Sequence, residues 1–428
     1  MKNTKVVWAI VCLFLVGVML LAGCGKSTTA TQTSTQTSTQ SSTTSTTKAY
    51  NDTIPWTEPA NDGILATLPK TIQADYDGLD SKLINSPYAT FKAKKPPYKI
   101  YYCAAFRGNG WQEKYIGTWE KNIAAYKAAG IVSDYQFLIA NGDLNTQIEQ
   151  IQTAIENNAD LILINALSTS GLDSLIKSAY DKGIVVMSYS GAVTSPYALN
   201  ILASGFNFAA TEASMLVKYL NGKGHIIVVD GMLQHPANAF AHGGEAAVLD
   251  QNPGITYDVV NGNWDNANAK DAVLTYFATH PGKVDAILNQ VGMFDGCREA
   301  LEQSGRPLMP ITDAIPDVSW VAYAHENKGK TGWYTFGSTN SPGELSDTNF
   351  RIAIATLMGF GPKINTFLEP ALKITDDSID SWYTPDMQVG AIGCADPPKG
   401  TVFGQDWLNA LFTQPPVLPL DTQLHSRQ

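Results

Sequence analysis

Ala159-Asp-Leu-Ile-Leu-Ile-Asn165 and Gly183-Ile-Val-Val-Met187 are the two stretches whose reading decides the fold. Leu161 to Ile164 and Ile184 to Met187 are short apolar runs without polar alternation. A strand written that way is buried on both faces, the habit of parallel sheets covered by helices. Between them, Leu172 to Asp181 has helical spacing and stops at Gly183, a residue suited to the left-handed turn past a helix end. Strand, helix, strand in so short a stretch is one parallel crossover unit.

The same unit recurs on both sides. Upstream, Lys99 to Ala104 reads as a strand and Trp111 to Ala129 as a helix closed by Gly130; Tyr135 to Ile139 and Asn145 to Asn157 repeat the pair. Downstream the pattern restarts. Leu199 to Ala203 reads as a bridging strand, and Phe208 to Leu220 as a helix ended by Asn221-Gly222. Strands follow at His225 to Val229, Ile255 to Val260, Val284 to Leu288 and Leu308 to Thr312. Helices at Pro236 to Leu249, Ala267 to Ala278 and Asp295 to Gln303 separate them. This alternation predicts an α/β protein with two doubly wound parallel-sheet halves. Ligands in such sheets bind outside the carboxyl ends of the strands, so a cleft between the halves faces those ends from both sides.

The beginning of the chain has a different character. Lys2 and Lys5 precede an apolar run from Val6 to Leu20, and Leu21-Ala22-Gly23-Cys24 follows. A charged start, a short apolar core and small residues at a cleavage site describe a secretory signal peptide. The run is marginal for a transmembrane helix, which wants roughly 20 residues. Leu-Ala-Gly-Cys resembles the bacterial lipobox, which implies cleavage before Cys24 and diacylation of its thiol. From Ser27 to Thr47 a Ser/Thr/Gln tract lacks the apolar residues a folded unit needs and reads as a flexible tether. The rest, roughly 380 residues, suits two domains or one bilobal unit. With 44% hydrophobic residues and a net charge of -10, the chain has material for a core and no basic excess for nucleic acid. Of the later cysteines, Cys103 and Cys297 sit in apolar segments; the odd count of three with Cys394 allows at most one internal disulfide.

From Lys95 to Gly393 the chain resembles the type I periplasmic sugar-binding proteins, the ribose-binding group that feeds ABC transporters. The order and spacing of the two opening stretches, and of Val284-Asp-Ala-Ile-Leu-Asn-Gln290 with Gly296, carry the resemblance. It implies two lobes joined by three crossovers, expected near Ser204, Asn340 and Trp382. The expected organisation is a signal peptide at 1–23, a lipid-anchored linker at 24–49 and an N-terminal extension at 50–94. Lobe 1 then spans 95–204 with 341–381, lobe 2 spans 205–340 with 382–415, and 416–428 is a tail. The extension carries Trp56, Leu65, Leu68, Tyr76, Leu79, Leu83 and Ile84; it is too apolar for a linker and is expected to pack on lobe 1 as a short helical piece.

The resemblance also implies a site. Asn109 is expected to hydrogen-bond a ligand and Trp111 to cover one of its faces. Asn165 falls at the family's binding Asn after the third strand. Ser190 falls where the ribose group has an Asp followed by Arg, here Gly191. Phe240 and His242 stand at a helix start where the family carries Arg-x-Arg. Trp264 matches its second stacking aromatic and Gln290 replaces a binding Asn. Asp313 matches a strand-end Asp, and Asn340 a hinge Gln. Two tryptophans suit the C–H faces of a sugar ring, and amides suit hydroxyls that both donate and accept. The charge-poor set points to a neutral sugar, polyol or cyclitol. Plainer roles compete: Trp111 and Trp264 as core residues, Asn165 and Asp313 as helix caps, His242 as structural, Arg107 as solvated.

Other chemistries leave no trace. A Gly-x-Ser-x-Gly elbow, His-Glu-x-x-His and Cys-x-x-Cys are all missing, Gly108-Asn-Gly110 lacks a dinucleotide loop's third glycine, and the six histidines lack metal-ligand spacing. No cofactor or metal is therefore expected. The abundant carboxylates leave room for a glycan-cleaving pair. The leading expectation is a monomeric binding lipoprotein that delivers a sugar or polyol to an ABC transporter permease. A ligand-binding sensor module and a surface glycan enzyme are the alternatives.

Overall fold

The computed structural model describes residues 50–422 apart from 56, 80, 340, 370 and 399–402. The expected signal peptide, Cys24 and the Ser/Thr tract lie outside the described residues. After the short helix α1 (Lys70–Gln73), the crossover pattern begins with β1 (Tyr98–Ala104), α2 (Gly110–Ala128), β2 (Val132–Ile139), α3 (Leu144–Glu156), β3 (Leu161–Ile164), α4 (Asp173–Asp181), β4 (Val185–Tyr189) and β5 (Leu199–Ala203). It resumes with α5 (Gly205–Tyr219), β6 (Gly224–Asp230), α6 (Pro236–Leu249), β7 (Ile255–Asn261), α7 (Asn266–Thr279), β8 (Ala286–Asn289), α8 (Phe294–Ser304), α9 (Val318–Asn327) and β9 (Phe336–Thr339). The chain ends with α10 (Pro342–Leu357), β10 (Thr366–Glu369), β11 (Leu372–Thr375), α11 (Ile379–Trp382) and α12 (Gln405–Leu411).

Lobe 1 is built on a six-stranded sheet of order β10-β5-β4-β3-β1-β2, parallel at every pairing. All four residues of β3 are buried, as an apolar run between two parallel neighbours requires. Alternate residues feed opposite faces: Leu161, Leu163, Val185 and Met187 join one cluster, Ile162, Ile164 and Val186 the other. Lobe 2 has the parallel sheet β7-β6-β8 and an antiparallel pair of β9 with β11. Leu308 to Thr312, expected as a strand, keeps only a bridge from Ile311 to Ile287.

The chain passes from lobe 1 to lobe 2 after β5 and returns between β9 and α10; Asn340, expected near the second crossover, lies outside the described residues. The third lies between β10 and β11, earlier than Trp382. The reason is packing: β10 pairs with β5 in lobe 1, whereas β11 pairs with β9 and Trp382 joins the core of lobe 2. Residues 382–415 divide between the lobes: Trp382 and Ala395 stay in the core of lobe 2, whereas Leu408, Leu411 and Phe412 are buried in the core of lobe 1. There the Tyr126 hydroxyl donates to the carbonyl of Leu420 at 2.6 Å. Cys103, Cys297 and Cys394, whose pairing the sequence left open, are buried free thiols.

The extension contacts both lobes rather than lobe 1 alone. At its start Asn51 and Asn252 exchange two hydrogen bonds of 2.8 Å, and Ser214 donates to Asp52 O at 2.7 Å, all on lobe 2. Further on, the buried Tyr76 hydroxyl donates to Thr366 O at 2.7 Å. Tyr88, fully buried, donates to Tyr197 O at 2.8 Å and accepts from the Val186 N–H at 3.0 Å, filling the amino-end side of the lobe-1 sheet. Removing that hydroxyl strands a buried donor and a buried acceptor. Tyr88→Phe should lower the unfolding free energy by about 1–3 kcal/mol in chemical denaturation; an unchanged stability would show that the extension merely rests on the sheet.

Candidate functional site

The loops after β1, β3 and β4 in lobe 1 and after β6, β7 and β8 in lobe 2 converge on one cleft. Its space is about 720 Å³ with its open mouth included, the size of a small-molecule pocket. Asn109, Trp111, Asn165, Ser190, Phe240, Trp264 and Gln290, all singled out from the sequence, line it. Asp313 does not, and Asn340 lies outside the described residues.

On the lobe-1 side, Asn109 caps α2. Its side-chain oxygen accepts from the Gln112 N–H at 2.9 Å, so its amino group is the part left for a ligand. Asn165 is 1% exposed and donates to Tyr189 O at 3.3 Å, while its Oδ1 meets no protein partner. The turn that holds it is fixed by Gln147, buried in α3, which donates to Asn165 O at 2.7 Å and accepts from Leu167 N–H at 3.0 Å. Ser190, past the end of β4, has φ 61°, an uncommon conformation for a non-glycine residue and one that recurs at functional sites. Trp111 is stacked on Tyr115, with centroids 5.4 Å apart and planes at 12°. Phe106 lies nearly parallel to Trp264, at 6.4 Å and 20°, an aromatic neighbour that the sequence reading did not single out.

On the lobe-2 side, Trp264 is held under strain. Asn263 and Trp264 both take positive φ, 56° and 54°. The Gly262 N–H donates to Asp230 O at 2.8 Å, and Asp265 then caps α7 by accepting from Asn268 N–H at 2.9 Å. The indole lies flat on Gly231, where an added Cβ would come within 1.9 Å of its Nε1; only glycine permits that approach. Gln290 is engaged at both ends of its amide, accepting from Gly231 N–H at 3.1 Å and donating to Asp230 at 3.0 Å. It therefore orients the floor of the cleft as well as lining it.

Asp313 is fully buried. Its Oδ1 accepts from the N–H groups of Gly292 at 2.9 Å and Ile315 at 3.2 Å, so it shapes the loops that deliver Val291, Ala314 and Ile315 to the cleft. Burial, then the neighbouring Asp317, pushes its carboxyl well above the usual range. It acts as a loop brace, close to the capping role weighed from sequence.

His235 was missed. It is 3% exposed, precedes Pro236 at the start of α6 and lines the cleft edge-on to Trp264 at 5.0 Å. Its Nδ1 accepts from Ala237 N–H at 3.2 Å, which puts the proton on Nε2, and Nε2 has no protein partner. Burial pushes its pKa down to about 4, so the ring is neutral at pH 7 and offers one donor. The available signal was a histidine directly before a helix-starting proline, in the loop that follows a buried strand. Among the described residues, no Asp, Glu, Lys or Arg lines the cleft. The arrangement can bind a neutral polar molecule through aromatic faces, one imidazole donor and amide groups.

The family described as "Periplasmic binding protein domain" matches residues 100–359. The chain is 26% identical over 251 residues to a xylitol-binding protein of Mycolicibacterium smegmatis, covering 56% of this chain and 68% of that one. An ABC transporter solute binding protein from Thermobispora bispora is 25% identical with TM-score 0.62, covering 68% of this chain and 90% of that one. One from Bacillus halodurans, solved with bound myo-inositol, is 17% identical with TM-score 0.58, covering 67% of this chain and 98% of that one. With two parallel-sheet lobes, a cleft at their strand ends and a family match over residues 100–359, the chain belongs to the periplasmic binding protein family and has its type I fold.

Proposed function

We propose that this protein captures a neutral sugar or sugar-like polyol between its lobes and presents the closed form to an ABC transporter permease, held to the membrane by lipid on Cys24. The observation that carries the ligand class is the cleft lining, which combines Phe106 and Trp264 with Asn109, Asn165 and a neutral His235 and, among the described residues, includes no charged side chain. Aromatic faces suit C–H surfaces, and buried amides with open hydrogen-bonding positions select hydroxyls, since a ligand lacking them leaves buried polar atoms unpaired. The names of the relatives, for xylitol and for myo-inositol, support the same class. Glycoside cleavage needs a pair of carboxyl groups flanking the bond, and the described lining offers none, which favours binding over turnover. A ligand that touches both lobes stabilises the closed state by its differential affinity for it.

Isothermal titration with a panel of monosaccharides and polyols should find a tight neutral binder, which Trp264→Ala weakens roughly 30-fold or more without lowering thermal stability. Equal affinity for a sugar phosphate, or an unaffected variant, would overturn the assignment. The depressed pKa of His235 has a definite sign. The unfolded ring, near 6.5, takes up a proton before the folded one, near 4, so its contribution is whole above about pH 6.5 and is lost as pH falls toward 4. The stability of wild type relative to His235→Gln should therefore drop by about 3 kcal/mol between pH 7 and pH 4 in urea titrations; a pH-independent difference would place the ring in solvent. Cys24→Ala should abolish the lipid mass increment and release the protein from the membrane fraction; a variant that stays lipidated would refute the anchor.

A further inference from the structure

Behind the cleft floor lies a second cluster that the binding reading does not use. His242 and Glu245 stand three apart on α6 and so share a helix face, and Asp230 ends β6 opposite them. One ligand atom from each lies within 4.8 Å of the others. Among the described residues no other group of three such side chains comes together in this way. The imidazole Nδ1 of His242 is 3.2 Å from the Asp230 carboxylate. Glu245 is 1% exposed, and neither of its oxygens has a hydrogen-bond partner. A buried carboxylate with two unmet acceptors is costly unless it is protonated or neutralised by a cation.

We propose that Asp230, His242 and Glu245 bind one divalent transition-metal ion of the zinc type. An imidazole nitrogen with two carboxylates is a nitrogen and oxygen set that suits zinc better than calcium or magnesium, which take oxygen alone. Small side-chain rotations bring donors spaced this way to the ~2.0–2.2 Å bonds that zinc makes. His242 is half-buried, with 39% of its side chain exposed, and provides the entry path. The ion meets the oxygens of Glu245 and offsets the charge of two carboxylates that lie side by side. Gln290, bonded to Asp230, serves as the outer partner that orients a ligand carboxylate.

The test uses the full chain, stripped with a chelator and titrated with zinc chloride in the absence of sugar. One equivalent should bind and raise the melting temperature. In Glu245→Gln the affinity should fall about 10-fold or more, while the metal-free variant melts no lower than metal-free wild type, because an unpartnered buried carboxyl has been removed. His242→Gln, a change at a half-exposed position, should weaken zinc to a similar degree and serves if the first variant folds poorly. Zinc binding equal in wild type and both variants, or no stoichiometric uptake, would overturn the site. Loss of zinc binding with sugar binding intact would leave the cleft assignment untouched, so the two readings fail separately.

Discussion

A strand in a parallel sheet must release its chain at the same edge as its neighbours, and that constraint locates everything else in this protein. Each of β1, β3 and β4 delivers its following residues to one edge of lobe 1, and β6, β7 and β8 do the same in lobe 2. The buried runs inside the sheets have no polar work to do. The residues just beyond them, Phe106, Asn165, Ser190, Trp264 and Gln290, face one shared space. Helices then secure the turns: Gln147 in α3 pins Asn165, Asp265 at the start of α7 follows Trp264, and His235 caps α6.

Charge is sorted as strictly as shape. The described lining of the cleft includes no Asp, Glu, Lys or Arg, yet carboxyl groups are buried close behind it. Glu212 accepts from Ser338 N–H at 2.7 Å and Asp313 from two backbone N–H groups. Such groups brace loops through backbone hydrogen bonds, and their burial keeps them toward the neutral form. A charged ligand would meet no countercharge in the lining, whereas a hydroxyl finds donors and acceptors at Asn109, Asn165 and His235. Strain is spent at the same place: Trp264 holds a left-handed backbone so that its indole can lie on Gly231.

Much of this was legible in the sequence, and the reason is periodicity. The runs at β3 and β4 and the helix at Pro236 to Leu249 could be read because apolar spacing reports burial directly. The strand-end amides and Trp264 came from the resemblance to the sugar-binding family, laid over those elements. What was not legible depends on long-range packing. The third crossover moved to the β10–β11 junction because β11 found β9, a partner no local pattern names. The terminal segment returned to lobe 1 because Leu408, Leu411 and Phe412 fill its core. The stacking of Trp111 on Tyr115 and the approach of Phe106 to Trp264 likewise depend on packing that local spacing does not report. His235 went unnoticed because its role rests on burial and an open Nε2, neither of which a sequence displays.

The extension and the terminal segment share a further trait: both add packing outside the cleft, on surfaces that the strand-end residues do not use. They leave the chemistry of binding to the six or so loops at the sheet edges, where aromatic faces and neutral hydrogen-bonding groups meet. The most direct test of that chemistry is mass spectrometry of the small molecule released on denaturing protein purified from its native cells. The account predicts an intact, uncharged polyhydroxylated compound of monosaccharide size. An acidic or phosphorylated compound, or the cleaved halves of a glycoside, would contradict it.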